Sequence, residues 1–397
     1  ISSVPRPGSS SELSGISCTS PRDCWAVGDF RSASGAQLNQ ALHWNGRKWS
    51  LVPTPSPGGT QHGASSQLSG VACPLPASCW AVGDYHTSGN SLTFLNQALH
   101  WNGKTWTLVP TPDPGLMAQR AFDSLVGVRC ISASNCWAVG SFASPGNGVF
   151  ELNQALHWNG RRWSLVAMPD PGSSSKGAFD GLGAVRCTSA GNCWAVGTFV
   201  QPVGTGESEA LLNQALHWNG RQWSQSSTPD PGGAGASASN GLNAVACTSS
   251  GNCWAIGSYG TFFVTPQTSL NQALRWNGRR WSQVPTPNPD GIAAGAGNEL
   301  IDVTCTSPVS CWAVGDYGRI TGSLGVRVNQ ALHWNGTHWS VVPTPDPGGL
   351  GNDDSSGLTA IRCPSPASCW AVGVVSTKGQ ANLNEILHWN GASWSAG

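Results

Sequence analysis

Charge is scarce in this chain: only 10% of its 397 residues are charged, with 20 Lys and Arg against 20 Asp and Glu. That balance leaves no electrostatic footprint for nucleic acid or for an anionic membrane. No apolar run approaches the roughly 20 residues that cross a bilayer as a helix, so no transmembrane segment is expected. Glutamate is rarer still, confined to Glu12, Glu151, Glu207, Glu209, Glu299 and Glu385. Glycoside hydrolysis commonly wants two carboxyls about 5–10 Å apart, and only Glu207 and Glu209 sit close in sequence, as a loop pair without supporting context. A serine nucleophile elbow, a phosphate loop and a His-Glu-x-x-His motif are missing too, so no catalytic residue is assigned and an enzyme is not expected. Helical windows are interrupted throughout by Gly, Pro and Ser.

What the chain has instead is a repeat. Cys18-Thr-Ser-Pro-Arg-Asp-Cys24-Trp25-Ala-Val-Gly28 is followed, after a gap, by Asn39-Gln-Ala-Leu-His-Trp44-Asn45-Gly46-Arg-Lys-Trp49, and the pattern recurs seven times. The 14 Cys and 21 Trp divide evenly among the copies, so none is left for a private role. A fixed internal period overrides the two or three domains that the length alone would suggest.

Each copy holds Cys-x5-Cys, whereas structural zinc sites usually place thiolates two to four residues apart and gather four ligands. Disulfides are therefore expected at Cys18–Cys24, Cys73–Cys79, Cys130–Cys136, Cys187–Cys193, Cys247–Cys253, Cys305–Cys311 and Cys363–Cys369, with no metal and no cofactor. Closing so short a loop contributes about 2–2.5 kcal/mol per bridge by chain entropy. An oxidising compartment follows, extracellular or at the cell surface. The chain opens on Ile1 rather than on Met or a signal segment, which reads as a processed, secreted chain.

Within the first copy, four strands are expected at 14–18, 24–30, 39–44 and 48–53. The last two meet at Asn45-Gly46, where a type I′ turn with φ > 0 at both central residues is predicted. Four antiparallel strands in each of seven copies describe an all-β fold, a seven-bladed β-propeller with one disulfide per blade. An open β-solenoid is the alternative. The blades fall at about 12–55, 67–112, 124–169, 181–229, 241–287, 299–345 and 357–394 plus 1–7, in one domain spanning 1–397. Residues 2–7, Ser-Ser-Val-Pro-Arg-Pro, resemble Ser50-Leu-Val-Pro-Thr-Pro55, so the N-terminus is expected to supply the outer strand of the last blade and close the ring.

The last Trp of each copy precedes the next Cys by 24 residues throughout, so all length variation lies between the Ala-Val-Gly (Ala-Ile-Gly in the fifth copy) and Asn-Gln segments. Variable loops are expected at 31–38, 86–95, 141–152, 198–212, 258–270, 316–328 and 374–383, and binding function commonly sits on such loops.

At Cys-x5-Cys-Trp-Ala-Val-Gly and His-Trp-Asn-Gly-x-x-Trp the chain resembles secreted bacterial β-propeller repeat proteins, and more distantly Asp-box and tectonin-type propellers. That resemblance implies a propeller used for sugar binding, adhesion, assembly or glycoside cleavage. The leading expectation is a non-catalytic extracellular scaffold, adhesion- or lectin-like, whose partners are glycan or protein. The alternative is a structural subunit that assembles with copies of itself into a filament or surface layer, and a glycoside hydrolase is remote.

Three residue rows carry the remaining hypotheses. The tryptophans are read as blade packing rather than sugar stacking. His43 and its equivalents, replaced by Arg275 in the fifth copy, are read as structural hydrogen-bonders. Arg129, Arg186 and Arg362 stand just before a first Cys, and on an innermost strand they would point into the central channel with Asp29, Asp84 and Asp316 nearby. Anion capture there competes with mutual ion pairing. Asn335-Gly-Thr337 is the sole glycosylation sequon.

Overall fold

The structure is a computed structural model, described here for all residues except 1–3, 90–92, 118–121, 145–149, 173–178, 205–207, 263, 319, 322–323, 350–354 and 377–380. Short runs of β-branched and aromatic residues between turn signals form seven four-stranded antiparallel blades, and the fold is a β-propeller. In the first blade, Ser10–Ser20, Asp23–Arg31, Gln37–Trp44 and Trp49–Val52 pair in chain order. A parallel bridge joins the third strand of one blade to the first of the next, as between Gln37 and Ser65 or Glu151 and Phe179. Each blade carries one disulfide, from Cys18–Cys24 to Cys363–Cys369.

The inner strands run longer than the sequence pattern suggests. In the fourth blade Asn192–Pro202 and Glu209–Trp218 stay paired out to Pro202 and Glu209, so much of the expected loop 198–212 is ladder. Residues added to both strands at once lengthen the ladder and leave only the tip irregular. Phe199, Ala210, Leu212 and Ala238 bury a small satellite core beneath that extension.

The hairpin turns also differ from expectation. Gly46 takes φ 86°, but Asn45 does not, since Ser237 is the only non-glycine with positive φ among the described residues. The loop spans four residues between paired Trp44 and Trp49. Asn45 contributes through its side chain, whose Oδ1 accepts from the N–H groups of Arg47 and Lys48 at 3.1 Å each.

The core lies between blades. Trp25, Val27 and Ala41 of the first blade pack on Leu68, Ala81, Leu99 and Trp106 of the second. Trp25 stacks on His43 at 4.5 Å, and it meets Trp101 and Trp106 of the next blade at 4.7 and 5.1 Å. Gly28 is required by backbone proximity: a Cβ there would come within 2.0 Å of the Glu12 carbonyl.

At the chain ends, residues 4–7 form no strand, and the fourth strand of the last blade is its own Trp394–Ala396. Residues 2 and 3 of the expected strand lie outside the described residues, and of the rest Pro5 and Pro7 have no N–H to give to a ladder. Pro5 O accepts from Asn384 Nδ2 at 2.9 Å, as Pro55 O accepts from Asn39 Nδ2 at 2.7 Å in the first blade. Val4 packs beside Leu13, Trp370 and Ile386, so the first and last blades are in contact.

Candidate functional site

The innermost strands line a channel, and their register decides which side chains share each end. Ser17 pairs with Trp25 beside the disulfide, whereas Glu12 pairs with Asp29 at the far end. Four residues at ~3.3 Å each separate those two levels by about 13 Å. The Glu12–Asp29 pair recurs as Gln67–Asp84, Ser124–Ser141, Gly181–Thr198, Gly241–Ser258, Glu299–Asp316 and Gly357–Val374. Acids occupy it only in the first, second and sixth blades.

Asp29 is buried and accepts from Gln37 Nε2 at 2.7 Å. Its carboxyl is pushed up to about 7, by burial first and then by the neighbouring Glu12; the Gln37 hydrogen bond opposes the shift and Asp84 adds to it. Asp84, on the adjacent blade, accepts from Ser124 Oγ at 2.8 Å and is raised chiefly by burial. Across the seventh blade, Asp316 is pushed up to about 6 by burial, against the pull of Arg327 at 2.7 Å. A carboxyl that holds its proton near neutral pH beside a second carboxyl is the arrangement that general acid–base chemistry uses.

A belt of amides fixes this end. Gln40 Nε2 donates to the carbonyls of Glu12 and Asp29 at 2.7 and 2.8 Å, and to Asn384 Oδ1 at 2.9 Å. Equivalent inter-blade bonds join Asn39 to Gln97, Asn153 to Gln214, Asn213 to Gln272, and Asn271 to Gln330. Asn96 and Gln154 hold the corresponding places between the second and third blades. The belt holds backbone carbonyls and joins neighbouring blades.

The histidine row also has structural partners. His43 Nε2 meets Asp23 Oδ1 at 2.6 Å, and His157 and His217 meet Asn135 and Asn192 at 3.0 and 2.6 Å. Arg275, in the histidine's place, lies over Trp254 at 5.6 Å from the ring centre.

Arg129, Arg186 and Arg362 line the channel at the disulfide level, because Arg129 and Arg186 pair with Trp137 and Trp194. The acids expected beside them, Asp29, Asp84 and Asp316, belong to the opposite end. The acid that acts on Arg186 and Arg362 is Asp302, which replaces the Gly or Ala of the other blades and accepts from the N–H groups of Val303 and Ile361, at 2.8 Å each. An alignment of the seven copies could have exposed that substitution. Of the loop pair, Glu207 lies outside the described residues, and Glu209 begins a strand.

No family model and no curated protein sequence matches the chain. Solved structures do. The chain is similar to a GH74 xyloglucanase from Xanthomonas campestris, at 14% identity and TM-score 0.53, over 99% of this chain and 55% of that one. It is also similar to the β-propeller domain of the Trilobed protease from Pyrococcus furiosus, described as having an open velcro topology, at 6% identity and TM-score 0.50 over 98% and 96% of the two chains. An acylaminoacyl peptidase from Pyrococcus horikoshii matches at 7% identity and TM-score 0.50, over 97% and 52%. The chain thus spans about half the length of the xyloglucanase, and these likenesses show the fold.

They also correct the functional expectation. The non-catalytic scaffold rested on variable loops and the lack of a catalytic motif, and its filament alternative on near-identical, disulfide-bonded blades without net charge, yet a propeller of this layout occurs in a glycoside hydrolase. Propellers gather side chains from several blades, so a site need leave no short motif in the sequence. The inference from missing motifs to a missing enzyme fails at that step.

Proposed function

We propose that the chain acts on glycans and cleaves glycosidic bonds at the channel mouth opposite the disulfides. The observation that carries this reading is the placement of Glu12, Asp29 and Asp84 at one level of two adjacent blades, near enough for Glu12 and Asp84 each to raise Asp29. Asp29 is assigned as the proton donor to the leaving oxygen, since its burial and its acidic neighbours favour the protonated form near neutral pH. Glu12 is the second carboxyl, set across the ladder on the channel-lining strand. Gln40 positions both by holding their backbone carbonyls. The seven disulfides support a place outside the reducing cytoplasm, and no helix of the described residues is long and apolar enough to cross a membrane. We further assign 1–397 to one propeller domain.

The xyloglucanase likeness makes xyloglucan the first substrate to offer, followed by a panel of other plant and microbial polysaccharides. Release of reducing ends should fall by about 100-fold or more in Asp29→Asn and in Glu12→Gln, the scale of losing an acid–base group. Melting temperatures should stay near that of the parent chain. Hydrolysis that survives both substitutions, or no hydrolysis of any polysaccharide by the parent chain, overturns the reading.

A further inference from the structure

The disulfide end of the channel has a charge problem of its own. Arg129, Arg186 and Arg362 come from the third, fourth and seventh blades, and each is close enough to another to repel it. Against three guanidiniums stands one carboxyl, Asp302, whose two oxygens already accept from backbone N–H groups. Among the described residues, none of the three guanidiniums makes an ion pair or a hydrogen bond, and the Nε atoms of Arg129 and Arg186 are buried without a partner. Asp23, at the rim, has its carboxylate engaged by Thr19 and His43.

Space accompanies the charge. A cavity of about 690 Å³ opens between the disulfide hairpins, and a second of about 370 Å³ lies deeper in the channel; all three arginines line both. They therefore form the layer that divides the two. Guanidiniums do not lose their protons in proteins. Burial and mutual repulsion nevertheless push Arg129 down to about 10 and Arg186 well below its ordinary value. Three guanidiniums lining one channel against a single engaged carboxyl leave an excess of positive charge that favours an anion there.

We propose that this layer is a binding site for a tetrahedral oxyanion, sulfate or phosphate, held by Arg129, Arg186 and Arg362. Guanidinium forks suit such an ion because each can present two parallel N–H donors to a pair of its oxygens. The ion enters from the disulfide face, through the larger cavity, either free or as the ester group of a glycan. The site is separate from the carboxyl cluster, about 13 Å further along the ladder, and does not depend on the glycosidase reading.

Thermal melting and titration calorimetry of the full, non-reduced chain test the proposal. In chloride of matched ionic strength, millimolar sulfate or phosphate should raise the melting temperature saturably, by about 2–5 °C. Arg186→Gln should raise the melting temperature in chloride, because it relieves repulsion from Arg129 and Arg362, and should weaken sulfate binding at least about tenfold. A purely structural arginine would do the reverse and destabilise on removal. Arg362→Lys keeps the charge but loses the fork, and should weaken binding without unfolding the chain. A sulfated disaccharide that binds more tightly than inorganic sulfate identifies the ester as the ligand, and equal or weaker binding identifies the free ion. A sulfate shift that is absent, linear in concentration, or unchanged in Arg186→Gln overturns the site.

Discussion

Glu385 stands where the other six blades place glutamine, and the difference is one atom. In those blades an amide nitrogen can donate to backbone carbonyls of the inner strands, as Gln97 Nε2 does to Gln67 and Asp84. Glu385 Oε1 accepts from Asn329 Nδ2 at 2.5 Å, while Oε2 is buried without a partner to accept from. Only a protonated Oε2 can donate as the amide does. Burial is the main force pushing this carboxyl up to about 8; the Asn329 hydrogen bond opposes it and Asp346 adds to it. A raised folded value means that the stabilisation is complete below the unfolded value of about 4.5 and is lost as pH rises through about 8. Glu385→Gln should therefore match the parent near pH 4 and melt about 2–4 °C higher at pH 9, measured by calorimetry across that range. Equal pH dependence of the two chains would refute the protonated assignment. The sequence marked Glu385 as an exception within its row, but not its consequence, since that depends on how deeply the row is buried.

At the scale of the element, the hairpin that carries each disulfide was readable because Cys-x5-Cys leaves few other uses for two thiols. Strand lengths were less readable. The ladder continues through Gln201 and Ala210 although composition there gives no strong strand signal, because cross-strand hydrogen bonds need only backbone. The same ladder explains why the arginines and the second-strand acids were expected together: adjacency of columns on neighbouring strands says nothing of antiparallel register until each pair is counted off from the disulfide. Replacing Cys18 and Cys24 together by serine should cost about 2–2.5 kcal/mol by loop entropy, read from urea unfolding of a chain that keeps its native circular dichroism. A loss of fold would instead mean that the bridge acts on the native geometry of the blade.

For the whole molecule, repetition made the fold legible and hid the sites. A seven-fold pattern specifies packing, because Trp25 and its equivalents must cover the next blade in the same way each time. Chemistry needs unlike residues, and these enter as single departures such as Asp302 or Glu12 that come together only when the blades are arranged around the channel. Repetition has a mechanical side as well. The amides that tie blade to blade act like the hoop of a barrel, and a hoop yields at its weakest stave. Weakening one stave on purpose tests this: Gln272→Leu removes its bonds to Asn213 and to the carbonyls of Gly241 and Ser258, and backbone amides around Asn213 and Gln272 should then exchange with deuterium faster than their counterparts around Asn39 and Gln97; exchange that stays uniform around the ring would count against the hoop. Opening would begin at that junction, where the chain is covalently continuous. The fourth and fifth blades would part as if on a hinge and could close again, with the peptide between them keeping the two halves in register.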